Sequence, residues 1–209
     1  NHNWRKDIYP EYKANRTGER PVLHSTISEH IRDHHEIFER PSLEADDVMG
    51  ILSTSPKIIP GKKIIVSQDK DMETIPGWFF NPAKDEKPRF ITKAAADLNH
   101  LVQTLSGDAV DNYPGAPGIG SHKAHTFLAN PCLYVPEEYQ VSRGKNKGET
   151  RIRWHEEPTD DLWAAICSLF ERRGSTADDA LIQAQVARIC RREDYDFKNR
   201  EVILWQPRT

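Results

Sequence analysis

The chain has 209 residues, 37% of them hydrophobic and 29% charged, with a net charge of −3 at neutral pH. That suits one domain, or one domain with a small appendage. No apolar run approaches the ~20 residues of a membrane span, which leaves no membrane partner in the reading. Cys132, Cys167 and Cys190 are odd in number and lack metal-ligand spacing. With no leader pattern visible, they read as reduced packing thiols in a cytoplasmic protein. The negative sum argues against nucleic acid only until clustered acids are set aside, because bound cations would cancel such acids locally.

Residues 4–16, WRKDIYPEYKANR, interleave Arg5, Lys6, Lys13 and Arg16 with Trp4, Tyr9 and Tyr12. Cations that neutralise phosphates beside rings that stack on bases suit a nucleic-acid contact, and a solvated loop is the alternative. Residues 22–39 place Leu23, Ile27, Ile31 and Phe38 at near-helical spacing. His30 and His34 stand at i, i+4 there, but no third ligand accompanies them, so they read as solvated histidines. Residues 42–54, SLEADDVMGILST, predict a helix capped by Ser42, with Leu43, Val48, Ile51 and Leu52 as its apolar face. Glu44, Asp46 and Asp47 crowd its first turn. Acids there favour the helix dipole, yet three so close repel one another, and a divalent cation would relieve them. Glu44 and Asp47 share a face, while Asp46 points elsewhere.

KKIIV at 62–66 predicts a strand buried in a parallel sheet, followed by Asp69 and Asp71 at its C-terminal end. If the backbone stays extended, these two acids share a face. GWFFNP at 77–82 suggests another short strand. Residues 92–106 predict a helix capped by Thr92, with Leu98, Leu101, Val102 and Leu105 on one stripe.

The next stretch, GDAVDNYPGAPGIGSHKA at 107–124, carries two patterns. Asp108 and Asp111 would lie on one face if helical. Gly118 and Gly120 flank Ile119, and Ser121 is placed to cap a helix carrying Lys123. A glycine loop opening a helix presents backbone N–H groups to an anion. Farther on, EYQVS and TRIRW flank the Gly-rich RGKNKGE, a hairpin over 138–154. Its Arg143, Lys145, Lys147, Arg151 and Arg153 suit either a phosphate contact or a solvated turn. Residues 159–173 and 176–192 predict two amphipathic helices, and EVILW at 201–205 a last strand.

Four of these segments come together in a known pattern. WRKDIYPEYKANR (4–16), EADD (44–47), SQDKDMETI (67–75) and GDAVDNYPGAPGIGSHKA (107–124) resemble, in order, the flap endonuclease and 5′→3′ exonuclease superfamily, and most closely the exonucleases of short-tailed phages. The resemblance carries motifs over about residues 1–130. It implies an α/β fold: a PIN-like, mostly parallel central sheet flanked by helices, a helix–turn–helix DNA clamp, and a C-terminal helical and hairpin extension. The expected division is a nuclease core at 1–106, the clamp at 107–130 and the extension at 131–209.

The resemblance also implies an activity: Mg²⁺- or Mn²⁺-dependent two-ion hydrolysis of phosphodiesters in duplex DNA with 5′ ends or flaps, extending to RNA-primer removal, in phage replication, recombination or host-DNA breakdown. Glu44, Asp46, Asp47 and Asp69 match the first acid cluster, and Asp71, Asp108 and Asp111 the second. Lys13 would contact the scissile phosphate and Arg16 add positive charge in the transition state. Arg5, Lys6 and Tyr12 would hold the strand. Gly118, Gly120, Ser121 and Lys123 match the clamp, where a K⁺ bridges carbonyls to phosphate. The family's first strand, with its metal-binding Asp, has no counterpart here, so an N-terminal segment or separate chain is expected to complete the fold. Other readings are a non-catalytic DNA-binding subunit, a PIN-type ribonuclease, which normally lacks the clamp, and a phosphatase using Asp69, which leaves Asp108 and Asp111 without a task.

Overall fold

The structure, a computed structural model, describes residues 2–18 and 21–207. In chain order it has α1 (Arg5–Ile8), α2 (His24–His34), α3 (Ala45–Thr54), β1 (Ile64–Val66), β2 (Gly77–Phe80), β3 (Arg89–Ile91), α4 (Lys93–Ser106) and α5 (Ser121–Ala129). The long strands β4 (Cys132–Gln140) and β5 (Thr150–Pro158) follow, then α6 (Leu162–Arg172), α7 (Ala177–Ala187), β6 (Tyr195–Asp196) and β7 (Glu201–Val202). Contacts gather these elements into two units that do not follow the three successive segments expected. The first takes the chain up to Asp97, the short piece Val110–Asn112 and the return segment Arg188–Trp205. The second takes Leu98–Ala109, Tyr113–Ala187 and the residues after Trp205.

In the first unit β1 and β2 pair in parallel, Ile65 opposite Phe79, and β2 and β3 pair antiparallel. Ile65, Met72, Ile75, Phe79, Ile91, Ala96 and Ile189 form the core beneath this small mixed sheet. The apolar run at 62–66 does not become the doubly buried strand expected. β1 stands at the sheet edge, so only Ile65 is buried, and Val66 is 59% exposed. Beyond it, Lys70–Thr74 winds into a 3₁₀ turn, with Asp69 accepting from Asp71 N at 2.9 Å. Asp69 and Asp71 therefore do not continue an extended strand. Ser42 does not cap α3 either. It sits at φ +65° with its carbonyl accepting from Trp4 N, and Glu44 takes the N-cap position. The expected stripe of α2, Leu23, Ile27 and Ile31, is exposed.

In the second unit one core joins Val102 and Leu105 of α4, Ala116 and Ile119 of the turn, Ala124 and Leu128 of α5, Ile166, Leu169 and Phe170 of α6 and Ala180 of α7. Burying each of the larger side chains contributes about 1.5–3 kcal/mol. Thr92 caps α4 as expected, its Oγ1 accepting from Ala95 N at 3.1 Å. Asp161 caps α6 by accepting from Trp163 N and Ala164 N. The turn after α4 is not helical. Gly107 and Gly115, at φ +63° and +64°, stand back to back. A Cβ on Gly115 would lie 2.3 Å from Gly107 N and 2.5 Å from Leu105 O. Gly115→Ala is therefore expected to destabilise the protein by about 2–3 kcal/mol, from positive φ and backbone overlap together. A denaturant midpoint equal to the parent's would refute this.

Candidate active site

The basic-aromatic segment 4–16 and the acids of α3 meet within the first unit. Arg5 is buried, and its guanidinium forks onto Asp47: Nη1 donates to Oδ2 and Nη2 to Oδ1, both at 2.8 Å. Nη2 also donates to Arg188 O at 2.7 Å. Asp47 is 0% exposed and accepts further from Trp4 Nε1 at 3.1 Å, Cys190 N at 3.0 Å and Glu44 N at 3.2 Å. Burial alone would raise the Asp47 pKa. The Arg5 charge and hydrogen bonds, with those from Cys190 and Trp4, overcome it and hold the carboxyl at about 2. Both oxygens are thus filled. Asp47 serves the fold where a metal ligand was expected, and Arg5 is its buried partner where a DNA contact was expected. Lys6, beside it, is exposed.

Tyr12 is also corrected. It is 2% exposed, so it offers no surface to a base. Its hydroxyl stands 2.8 Å from both Glu44 Oε2 and Asp111 Oδ2. Burial pushes its pKa well above the usual phenol range; Arg5 opposes the shift and Glu44 and Asp111 add to it. The same two carboxylates receive the cations. Lys13 Nζ lies 2.5 Å from Glu44 Oε1 and 3.4 Å from Asp111 Oδ2, and Arg16 Nη2 lies 2.6 Å from Asp111 Oδ1. Backbone contacts fix this register. Lys13, at φ +55°, donates its N–H to Asp111 O at 2.9 Å, and Asn112 Nδ2 donates to Glu11 O at 2.7 Å. The piece 110–112 is thereby latched onto residues 11–16.

Asp46 lies on the other side of the α3 entry. Burial raises its pKa to about 6, with Asp69, then Glu44 and Asp47, adding to the shift. Asp46 is thus within electrostatic reach of both Asp69 and Glu44. Carboxylate oxygens are the donor type a hard cation such as Mg²⁺ or Mn²⁺ takes, and its charge would relieve the repulsion at Asp46. Among the described residues no group of three acidic, histidine or cysteine side chains is placed to hold an ion together. Lys13 and Arg16 instead pair with Glu44 and Asp111, and Arg5 pairs with Asp47. Asp71 opens the 3₁₀ turn. Asp108 belongs to the second unit, where its backbone pairs with Tyr113, so it does not share a helical face with Asp111.

At the expected clamp, Gly118 has φ +74° and Gly120, not Ser121, takes the N-cap position of α5. The Ser121 hydroxyl makes no capping bond. Lys123 Nζ donates to Gly118 O at 3.0 Å, closing over its own loop. Sequence reasoning missed the roles of Trp4, Asn112 and the backbone of Arg188 and Cys190. Only Trp4, next to Arg5 in a polar run, carries a signal that could have pointed to burial.

Residues 1–76 match the family model described as the 5′-3′ exonuclease, N-terminal resolvase-like domain. The exodeoxyribonuclease of Enterobacteria phage T3 is 38% identical over 215 residues, which cover 99% of this chain and 71% of that protein. The exonuclease of Escherichia phage T7 is 37% identical over 213 residues, 98% of this chain and 71% of that protein. A solved structure of a T5 5′-exonuclease mutant aligns over 89% of this chain and 69% of its own, with a TM-score of 0.54 and 14% identity. That likeness supports the fold, the PIN-like α/β arrangement expected from the sequence. Near-complete coverage by two phage exonucleases, with the family model over the segment that carries Lys13, Glu44 and Asp69, makes this chain a member of the 5′–3′ exonuclease family.

Proposed function

We propose that this phage-type nuclease is a structure-dependent 5′→3′ exonuclease that hydrolyses phosphodiester bonds of duplex DNA with divalent cations, and extends to flaps and RNA primers. Its setting is phage DNA metabolism in the host cytoplasm. One observation carries the reading: Lys13 and Arg16 stand directly against Glu44 and Asp111. A phosphate-binding pair of cations is thereby packed onto the acids that would hold the metal.

Glu44, Asp46 and Asp69 would supply oxygen donors to one Mg²⁺ or Mn²⁺, and Asp71 and Asp111 are carried over from the family pattern for a second. When bound, such ions supply Lewis-acid polarisation and a nucleophilic water at neutral pH. The chain's own side chains do the rest. Lys13 and Arg16 exchange a carboxylate for a non-bridging phosphate oxygen and stay to meet the charge that develops there. Tyr12 keeps Glu44 and Asp111 at a fixed separation. The Asp47–Arg5 pair fixes the first turn of α3, and with it Glu44 and Asp46. Lys6 and the Gly118–Lys123 loop hold the backbone without reading bases, with K⁺ on the loop carbonyls.

The test is a digestion series on 5′-labelled and 3′-labelled duplex in Mg²⁺ or EDTA, with the parent chain and Asp111→Asn. Label should leave the 5′ end first, only in Mg²⁺, and the variant should be slower by about 10²-fold or more. Release from the 3′ end first would overturn the polarity. An unimpaired variant would remove Asp111 from the site.

A further inference from the structure

The β4–β5 hairpin divides into a half-buried base on β4 and an exposed outer half. At the base, Tyr134 stacks on Phe127 with centroids 6.1 Å apart, carries the Arg172 guanidinium 4.1 Å above its ring, and donates its N–H to Ser168 Oγ at 3.0 Å. From Pro136 to Gln140, and from Thr150 to Arg153, every residue is exposed. The nine register pairs make a ladder of about 30 Å. The turn beyond it is defined rather than loose. Val141 N donates to Glu149 O and Gly148 N to Val141 O, both at 2.9 Å, with Gly144 and Gly148 at positive φ. Ile152 is left 57% exposed on this outer half, so core burial does not explain it.

The charges divide in the same way. Along the shaft each arginine has a carboxylate: Arg153 forks onto Glu137 at 2.9 and 2.8 Å and Arg151 reaches Glu149 at 3.1 Å, while Arg172 of α6 reaches Glu156 of β5 at 3.2 Å. At the tip, Arg143, Lys145 and Lys147 are exposed, and none makes an ion pair or side-chain hydrogen bond among the described residues. Three cations within five residues repel one another on a turn closed by two backbone hydrogen bonds. A string of phosphates removes that repulsion and gains the free energy of counterion release. Tyr139, on the same hairpin face as Arg151 and Arg153, adds an aromatic ring to this cationic surface.

We propose that the hairpin tip is a second DNA-backbone contact, built from the second unit alone, in which Arg143, Lys145 and Lys147 each neutralise a phosphate. The proposal rests on the nuclease reading only for the identity of the polyanion. Its contacts are to phosphates, so they carry no sequence preference.

Binding is measured by fluorescence anisotropy on a labelled duplex in EDTA, over about 50–200 mM KCl. In the triple variant Arg143→Gln/Lys145→Gln/Lys147→Gln, the slope of log K against log salt should shrink by about 2–3, at about 0.9 per lost phosphate contact. Affinity at about 100 mM salt should fall roughly tenfold or more. A reference variant, Lys57→Gln/Lys84→Gln/Lys87→Gln, removes the same charge from exposed lysines of the first unit and should keep most of the parent slope. An unchanged slope in the tip variant, or an equal loss in the reference variant, overturns the proposal. If the parent degrades no DNA in Mg²⁺ while the tip variant still loses slope, the exonuclease reading fails and the hairpin contact stands.

Discussion

Lys13→Met should slow 5′-label release by about 10²–10³-fold while leaving the melting temperature close to the parent's. Methionine keeps the apolar stem and removes only the ammonium. In the free protein that ammonium is held by Glu44 and Asp111. Its loss still leaves Glu44 with Arg5 and Tyr12, and Asp111 with Arg16 and Tyr12, so neither acid is stranded. Partly exposed ion pairs of this kind add little to stability. During hydrolysis the balance changes, because a cation aimed at a phosphate in a crowded site acts on charge that builds only in the transition state. Single-turnover rates with enzyme in excess over DNA measure this directly. A rate within fivefold of the parent's would remove Lys13 from the chemistry. Lys13→Arg should recover part of the loss but not all, since a planar fork does not occupy the place of a point charge.

Arg5→Ala should have the opposite profile and cost about 3–5 kcal/mol of folding stability, because it strands a fully buried carboxylate. Urea unfolding followed by circular dichroism provides the number, and a loss below about 1 kcal/mol would contradict the assignment. Arg5→Lys should rescue little, since one ammonium cannot replace two parallel bonds to Asp47 and a third to Arg188 O. The pair also sets an acid limit. Asp47 has a pKa of about 2 in the folded chain against its ordinary 3.8. Its contribution, on the order of 2 kcal/mol, is therefore complete above about pH 4 and is lost as the pH falls through about 2. Asp47→Asn should be less stable at neutral pH and should lack this part of the acid limb.

These two outcomes show what was and was not legible in the chain. EADD reads as one cluster of equivalent acids, and the spacing correctly puts Glu44 and Asp47 on a common face. Spacing along one helix cannot say that Asp47 faces inward, because what buries it lies at Trp4, Arg5 and Cys190. The α6 stripe and, apart from the exposed Leu98, the α4 stripe were legible because a 3.6-residue period is a local property and one apolar core answers it. β1 misled because an apolar run does not distinguish a central strand from an edge strand. Asp108 and Asp111 misled because the i, i+3 rule presumes a helix, whereas Gly107 and Gly115 require a left-handed turn there. Lys13, Arg16, Glu44 and Asp111 were each singled out from sequence. The meeting of Glu44 and Asp111 at the Tyr12 hydroxyl, with Lys13 and Arg16 on the same carboxylates, was not visible, because it depends on a latch between segments about a hundred residues apart.

The return of Arg188–Trp205 to the first unit has a consequence for how the protein is made. Asp47 leaves the ribosome well before the Cys190 amide, 143 residues farther along the chain, and the Arg188 carbonyl, which together complete its surroundings. At about 5–20 residues per second, that carboxylate waits on the order of 10–30 s for its last partners. The second unit draws nearly all of its chain from residues between 98 and 187, and so is available for folding first. The surroundings of the acid-bearing first turn of α3 are therefore complete only after Arg188 and Cys190 have been translated.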